Sequence, residues 1–292
     1  MCTREINLKG SFKMQKYTLI GHPLGHSMSP FIHDELFKIS GIEATYDCTD
    51  IPAEEFAGRM DDLKKLNGFN ITIPYKRDII PYVDELDASA KRYNSVNCVF
   101  NNGGKLIGYN TDCDGFLLSV EAKKLNLSGK VLLAGCGGVG RMMAIEAALH
   151  GAELTIGIIP EAAQAAAALT DEIHFLVPDC KIHVKLIDTV TGSFDLIVNA
   201  TPVGMYPKTD ACPVATELIG RCGGVFDAIY NPIKTKLLQI AESFGKPAVN
   251  GTAMLVYQAV KAHEIWNGSS YTDAQVQEII DKTNEIIAGD FK

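Results

Sequence analysis

"KVLLAGCGGVGRMMAIEAALHGAELTIGII", Lys130 to Ile159, opens on one short apolar run and closes on another. Between them lie a glycine-rich corner and a segment with apolar residues at helical spacing. Strand, turn, helix and strand within about thirty residues make one β–α–β unit, the building block of a parallel sheet. Gly135, Gly137 and Gly140 form G-x-G-x-x-G at the strand-to-helix corner, with Gly138 as an extra glycine. The first glycine permits the tight turn, the second lets backbone approach a pyrophosphate, and the third lets helix and strand pack closely. The helix start then turns its unpaired amides towards the phosphates. A dinucleotide cofactor is the expectation.

These residues leave open which dinucleotide it is. About twenty residues past such a turn an NAD site carries Asp or Glu, and an NADP site has an Arg nearby. Here the second strand ends Gly157-Ile158-Ile159, no Lys or Arg follows before Lys181, and the nearest acid, Glu161, lies beyond the strand end.

Outward from this unit, short β-type runs alternate with helical patterns along nearly the whole chain, which predicts α/β architecture with mostly parallel sheets. "FDLIVNATPVG" and "GVFDAIYNP" read as later strands that end in polar residues, and Met254 to Trp266 as a helix. "EAAQAAAAL" is an alanine-rich helix. Towards the N-terminus, "YTLIG", "ATYDCTDI" and "GFNITIP" read as strands. "SPFIHDELFKISG" reads as a helix with Ser29 at the N-cap and Pro30 at the first helical position. "SVNCVF" and "KLIGYN", joined by "NNGG", read as a hairpin. Residues 1–13 are expected to be a loose leader, and a boundary between two domains is expected within the helical segment 115–127.

Bulk properties exclude several classes. The 292 residues suffice for two domains, and 47% hydrophobic with 21% charged residues describes a globular enzyme rather than a disordered chain. A formal charge of −8 argues against nucleic acid or an acidic membrane surface as partner. No apolar run reaches the roughly 18 residues of a membrane span. The N-terminus lacks the apolar core of a secretory signal. The eight cysteines form no C-x-x-C pair and no metal-ligand spacing with histidine, so reduced thiols, a cytoplasmic location and no metal are expected.

A polar set gathers in the first third. In "HPLGHSMSPFIHD", Ser27 and Ser29 stand two apart at a helix start; on an extended approach their hydroxyls point to one side, where a carboxylate or phosphate is favoured. In "GFNITIPYKRD", strand alternation puts Asn70 and Thr72 on one face, and Lys76 follows at the C-terminal end, where open α/β sheets place ligands. "YNSVN" and "GYNTDCDG" add Asn97, Asn110, Thr111 and Asp112 near strand ends. Hydroxyls, amides, one lysine and one aspartate suit a small polyhydroxylated acid. Lys76 and Asp112 could move the proton that accompanies hydride transfer to a carbonyl.

In their order, "GHPLGHSMSPFIHD", "NITIPYK", "GYNTDCDG", "AGCGGVGR", "NATPVGM", "DAIYNP" and "NGTAMLVYQAV" resemble the shikimate and quinate dehydrogenases, from Tyr17 onward. That resemblance implies NADPH-dependent reduction of 3-dehydroshikimate to shikimate, on the way to chorismate and the aromatic amino acids, by a monomer or homodimer; the paired serines favour shikimate over quinate. It implies Lys76 and Asp112 as the catalytic pair, and Ser27, Ser29, Thr72, Asn97, Tyr230 and Gln258 as substrate contacts. Gly135, Cys136, Gly137, Gly138, Val139, Thr201, Ala228 and Gly251 would line the cofactor. It further implies a substrate-binding domain of residues 14–115 with 252–292, a Rossmann domain of residues 116–251, and an active site in the cleft between the two.

Three departures stand out. The family usually carries an Asn-Arg-Thr-like stretch where this chain has Gly157-Ile158-Ile159, which puts the choice between NADP and NAD in question. "YNSVNCV" replaces its usual Gly-Ala-Val-Asn-Thr while keeping Asn97, and Lys236 stands where proline is common.

Overall fold

The computed structural model describes residues 14–25 and 27–290. The expected leader, residues 1–13, lies outside the described residues. Contacts divide the described residues into two compact units, one up to residue 90 with 94–109 and the other of residues 91–93 with those from 110 onward.

The first unit holds β1 (Gln15–Gly21), α1 (Ser29–Ser40), β2 (Ala44–Asp50), α2 (Met60–Leu63), β3 (Gly68–Ile71) and β4 (Glu85–Leu86). Helix α3 (Ala88–Tyr93) follows, then β5 (Cys98–Asn102) and β6 (Lys105–Tyr109). The strands form one mixed sheet in the order β2-β1-β3-β5-β6-β4. The expected hairpin is present: β5 and β6 pair antiparallel, Asn102 opposite Lys105, and Gly103 and Gly104 turn the corner at φ +63° and +102°. Two positive φ values suit the twist of a two-residue hairpin loop, and glycine reaches them without a Cβ clash. The core of this unit packs Ile20, Phe69, Ile71, Val99 and Leu106 from the sheet against Ile51, Phe56, Met60, Tyr75 and Ile79.

In the second unit α4 (Asp112–Ala122) leads into β7 (Lys130–Ala134), α5 (Gly138–Leu149), β8 (Glu153–Ile158), α6 (Ala163–Leu176) and β9 (Ile182–Leu186). There follow β10 (Leu196–Asn199), α7 (Thr216–Gly220), β11 (Val225–Asp227), α8 (Lys236–Ser243), β12 (Ala248–Val249), α9 (Gly251–Asn267) and α10 (Asp273–Asp290). The sheet runs β12-β11-β10-β7-β8-β9, and every pairing in it is parallel. One half winds outward from β7 and the other from β10, so the strand order reverses between them, the switch point at which open α/β sheets leave a crevice. Helix α4 crosses α9 closely at Gly115, where an added Cβ would stand 2.6 Å from the Met254 carbonyl. Phe116 of α4 packs edge-on against Phe226 of β11, centroids 5.0 Å apart, a contact adding about 1 kcal/mol to the area it buries.

Local chemistry differs from expectation in two places. Ser29 is not the N-cap of α1: Met28 holds that position with helical φ and ψ of −80° and −8°, and no side chain caps it. Strand β3 stops at Ile71 rather than running through Pro74. Two of the departures, by contrast, have simple explanations. Asn94 adopts φ +46°, a left-handed conformation that asparagine tolerates best after glycine. Lys236 opens α8 behind the capping hydroxyl of Thr235, a place where the amide has no helical partner and where proline is favoured for that reason.

Candidate active site

At the C-terminal edge of the second sheet, backbone and small side chains meet across the switch point. Gly135, at φ +91°, follows β7, and a Cβ there would lie 2.6 Å from Thr201 Cγ2, just past β10. A Cβ on Gly140 would stand 2.4 Å from the Gly135 carbonyl. A Cβ on Gly251 would stand 2.2 Å from the Ala228 carbonyl, beyond β11. These three glycines are closed by the fold itself. Gly137 and Gly138 are different: a Cβ on either meets nothing within 4 Å, and Gly137, the N-cap of α5, has an ordinary φ of −68°. The chain has no steric use for glycine there, whereas a pyrophosphate laid against backbone amides does. Cys136 is half-buried and Val139 is exposed along the same corner. The residues present therefore fit a dinucleotide, with an open corner from Gly135 to Val139 and the first turn of α5 and with Thr201, Ala228 and Gly251 on the neighbouring strand ends.

A buried polar network braces this edge, and the strand patterns alone did not single it out. Asn199 ends β10; its Oδ1 accepts the Thr201 hydroxyl at 2.7 Å and the Thr201 amide at 3.0 Å. Its Nδ2 donates to Asp227 Oδ1 at 3.0 Å, and the Thr235 hydroxyl donates to Asp227 Oδ2 at 2.6 Å. The Ile229 amide donates to Asp227 as well, at 3.1 Å. The visible signal was that two apolar strand runs, "DLIVN" and "GVFD", each ended on a polar residue. Burial pushes the Asp227 carboxyl up from 3.8 to about 6, and the three hydrogen bonds oppose that rise. A proton held more tightly in the fold than in the unfolded chain means that ionisation costs stability, about 3 kcal/mol for this displacement. That contribution is present below about pH 4 and is lost as pH rises through about 6. Relative to Asp227→Asn, the wild-type chain should lose stability over this window and run parallel to the variant above it. Urea unfolding of both proteins at several pH values measures the difference; a gap independent of pH would refute the assignment.

The first unit positions Lys76 through its neighbours. Tyr75 is buried, stacks on Phe56 with centroids 4.2 Å apart, and its hydroxyl donates to the Ile51 carbonyl. The Ile79 amide donates to the Tyr75 carbonyl, and the Val96 amide to that of Lys76 at 2.7 Å. The lysine thus sits half-buried on a turn fixed from both sides, just past the end of β3. Thr72 is anchored through its own amide to the Ile20 carbonyl at 2.9 Å. Asn97 is buried, its carbonyl accepting the Ile71 amide at 2.8 Å and Asn70 Nδ2 at 3.1 Å. Asn70, placed by alternation on the face of Thr72, is buried and cross-links the sheet, accepting the Tyr46 hydroxyl at 2.8 Å. Ser27 Oγ accepts the Ser29 amide at 3.2 Å. With Met28 helical, this bond rather than extended alternation draws the two serines together. Ser29 is buried beside the Tyr46 phenol, a neighbour that spacing along the chain does not reveal.

The remaining residues expected at the site belong to the second unit. Asp112 is the first residue of α4, and its amide donates to Asn110 Oδ1 at 3.2 Å. Gln258 lies buried on α9 facing α4, with Nε2 donating to the Leu255 carbonyl at 2.9 Å and Cβ 3.1 Å from where a Gly115 Cβ would be. Tyr230 follows Ala228 on the loop after β11 and is 37% exposed. The Gly251 amide ties the start of α9 to the Ile229 carbonyl of that loop at 2.9 Å.

The family model for the shikimate dehydrogenase substrate binding domain matches residues 19–99. A protein of Shouchella clausii named shikimate dehydrogenase (NADP(+)) is 37% identical over 259 residues, covering 87% of this chain and 93% of its own. The crystal structure of shikimate 5-dehydrogenase from Thermus thermophilus in complex with NADP(H) and shikimate superposes with a TM-score of 0.82 at 30% identity, over 92% of this chain and 100% of that one. The shikimate 5-dehydrogenase of Listeria monocytogenes, solved with shikimate and NAD, gives a TM-score of 0.82 at 28% identity over 91% and 96%.

Proposed function

The chain belongs to the shikimate dehydrogenase family, and from that premise we propose that it reduces 3-dehydroshikimate to shikimate reversibly, with NADP as cofactor. The observation that carries the redox half of this reading is the sheet edge at the switch point. There the open Gly137 and Gly138 lead into α5, and Gly135, Thr201, Ala228 and Gly251 interlock behind them.

NADPH, when bound, would supply a hydride to the carbonyl carbon. The carbonyl oxygen needs a proton in the same event, and Lys76 with Asp112 are the proposed pair that holds and moves it. Ser27 and Ser29 would take the substrate carboxylate, their hydroxyls being the donors at the start of α1. Thr72, Asn97, Tyr230 and Gln258 would take ring hydroxyls. Residues 14–115 with 252–292 form the proposed substrate-binding part and residues 116–251 the dinucleotide-binding part; the match over residues 19–99 supports the first assignment. A cytoplasmic monomer or homodimer completes the reading. Among the described residues the seven cysteines are free thiols, and no helix is long and apolar enough to cross a membrane.

The deciding experiment mixes the purified chain with 3-dehydroshikimate and NADPH and follows loss of reduced-nicotinamide absorbance, with shikimate identified as product. Turnover is expected. Absence of turnover with either NADPH or NADH would refute the reading, and a reverse reaction faster with quinate than with shikimate would reassign the substrate.

A further inference from the structure

We propose that the end of β8 forms an uncharged, apolar rim that does not select for a 2′-phosphate, so that the chain accepts the non-phosphorylated dinucleotide about as well as the phosphorylated one. This deepens the reading above and rests on its dinucleotide site. Gly157 lies in register with Ala134, and its carbonyl accepts the Gly135 amide at 3.0 Å. The end of β8 therefore borders the glycine corner, on the side where the adenosine ribose of such sites meets its specificity residue.

The space there is already taken. A Cβ on Gly157 would stand 2.2 Å from Ile187 Cδ1, so the Ile187 side chain fills the volume that a polar side chain at 157 would need. Ile158 is buried and Ile159 is 58% exposed. Ala162 closes the rim towards the glycine corner, its carbonyl 3.9 Å from Cys136 Sγ.

Charge gives no help to an extra phosphate. Glu161 is exposed two residues past Ile159, with the wrong sign. Arg141, in the first turns of α5, is held by Glu172, with Nε 2.7 Å from its carboxylate, and by the Tyr93 carbonyl at 2.6 Å. Lys185 pairs with Gly157 in the sheet and so sits about 7 Å back along the strand from the level of Ile159. A 2′-phosphate at this rim would exchange water for hydrocarbon and a carboxylate. A 2′-hydroxyl, being uncharged, would lose less at the same rim.

Equilibrium titration of the full chain with NADP+ and with NAD+ by calorimetry tests this without turnover. The NADP+ dissociation constant should be no more than about tenfold below that of NAD+, the ratio that one charge-assisted contact would already exceed. Ile159→Arg should shift the ratio towards NADP+ by about tenfold or more, and Lys185→Ala should change it by less than about fivefold. Wild-type preference for either dinucleotide beyond about tenfold would overturn the proposal, as would a change of more than about fivefold in the ratio on removing Lys185, failure to bind either dinucleotide, or an unchanged ratio in Ile159→Arg. A chain that binds both dinucleotides equally yet leaves 3-dehydroshikimate unreduced would keep this inference and refute the proposed reaction.

Discussion

Lys76→Ala is expected to lower turnover of 3-dehydroshikimate by about 10²–10⁴, the span lost when a positioned acid–base group is removed. The fold should survive, because the turn that carries Lys76 is held by other groups. Tyr75 stacks on Phe56, Ile79 bonds back to Tyr75, and the Val96 amide reaches the backbone carbonyl of residue 76 rather than its side chain. Circular dichroism and the urea midpoint should therefore stay near wild type while kcat collapses. Lys76→Arg sharpens the test: it keeps a positive charge but holds its proton far too tightly to exchange near neutral pH, so it should rescue little. Wild-type turnover in either variant would remove this residue from the chemistry.

The second large effect separates two kinds of glycine in one motif. Gly137→Val should fold, at a cost of about 1 kcal/mol for a poorer N-cap, because a Cβ there meets no protein atom within 4 Å. It should nevertheless weaken dinucleotide binding by about a hundredfold or more, since the side chain occupies the space through which phosphates approach the amides. Gly140→Val should do the reverse in kind: its Cβ would lie 2.4 Å from the Gly135 carbonyl, so backbone must move, and a loss of about 1–3 kcal/mol or more in unfolding free energy follows. Calorimetric binding and urea unfolding on both variants give four numbers. Normal binding by Gly137→Val would show that the open corner is not where phosphates lie.

Much of this architecture was legible before any coordinates. Period and punctuation suffice for β7, α5 and β8, because an apolar strand, a glycine corner and an apolar, alanine-containing helix are each decided by residues within a few positions of one another. "NNGG" produced the hairpin for the same reason. Where the reading slipped, a local preference lost to a neighbour. Ser29 has the chemistry of an N-cap, yet Met28 takes the position and Ser29 sinks against Tyr46. "GFNITIP" has a strand pattern throughout, but pairing ends at Ile71, and Thr72 is bonded into the turn that follows.

From sequence alone came the glycine corner and the alternating α/β plan, since short-range sterics and side-chain periodicity write these directly into the chain, and the ordered motifs carried the likeness to the family. Tertiary structure alone decided three things: that Thr201 stands against Gly135, that Ile187 fills the space over Gly157, and that Asp227 is buried with Asn199 and Thr235. Apart from Asp227 and Thr235, those partners lie far apart in sequence, and the fold brings them together. Only the packed sheet could remove the Asp227 carboxyl from water and raise its affinity for a proton.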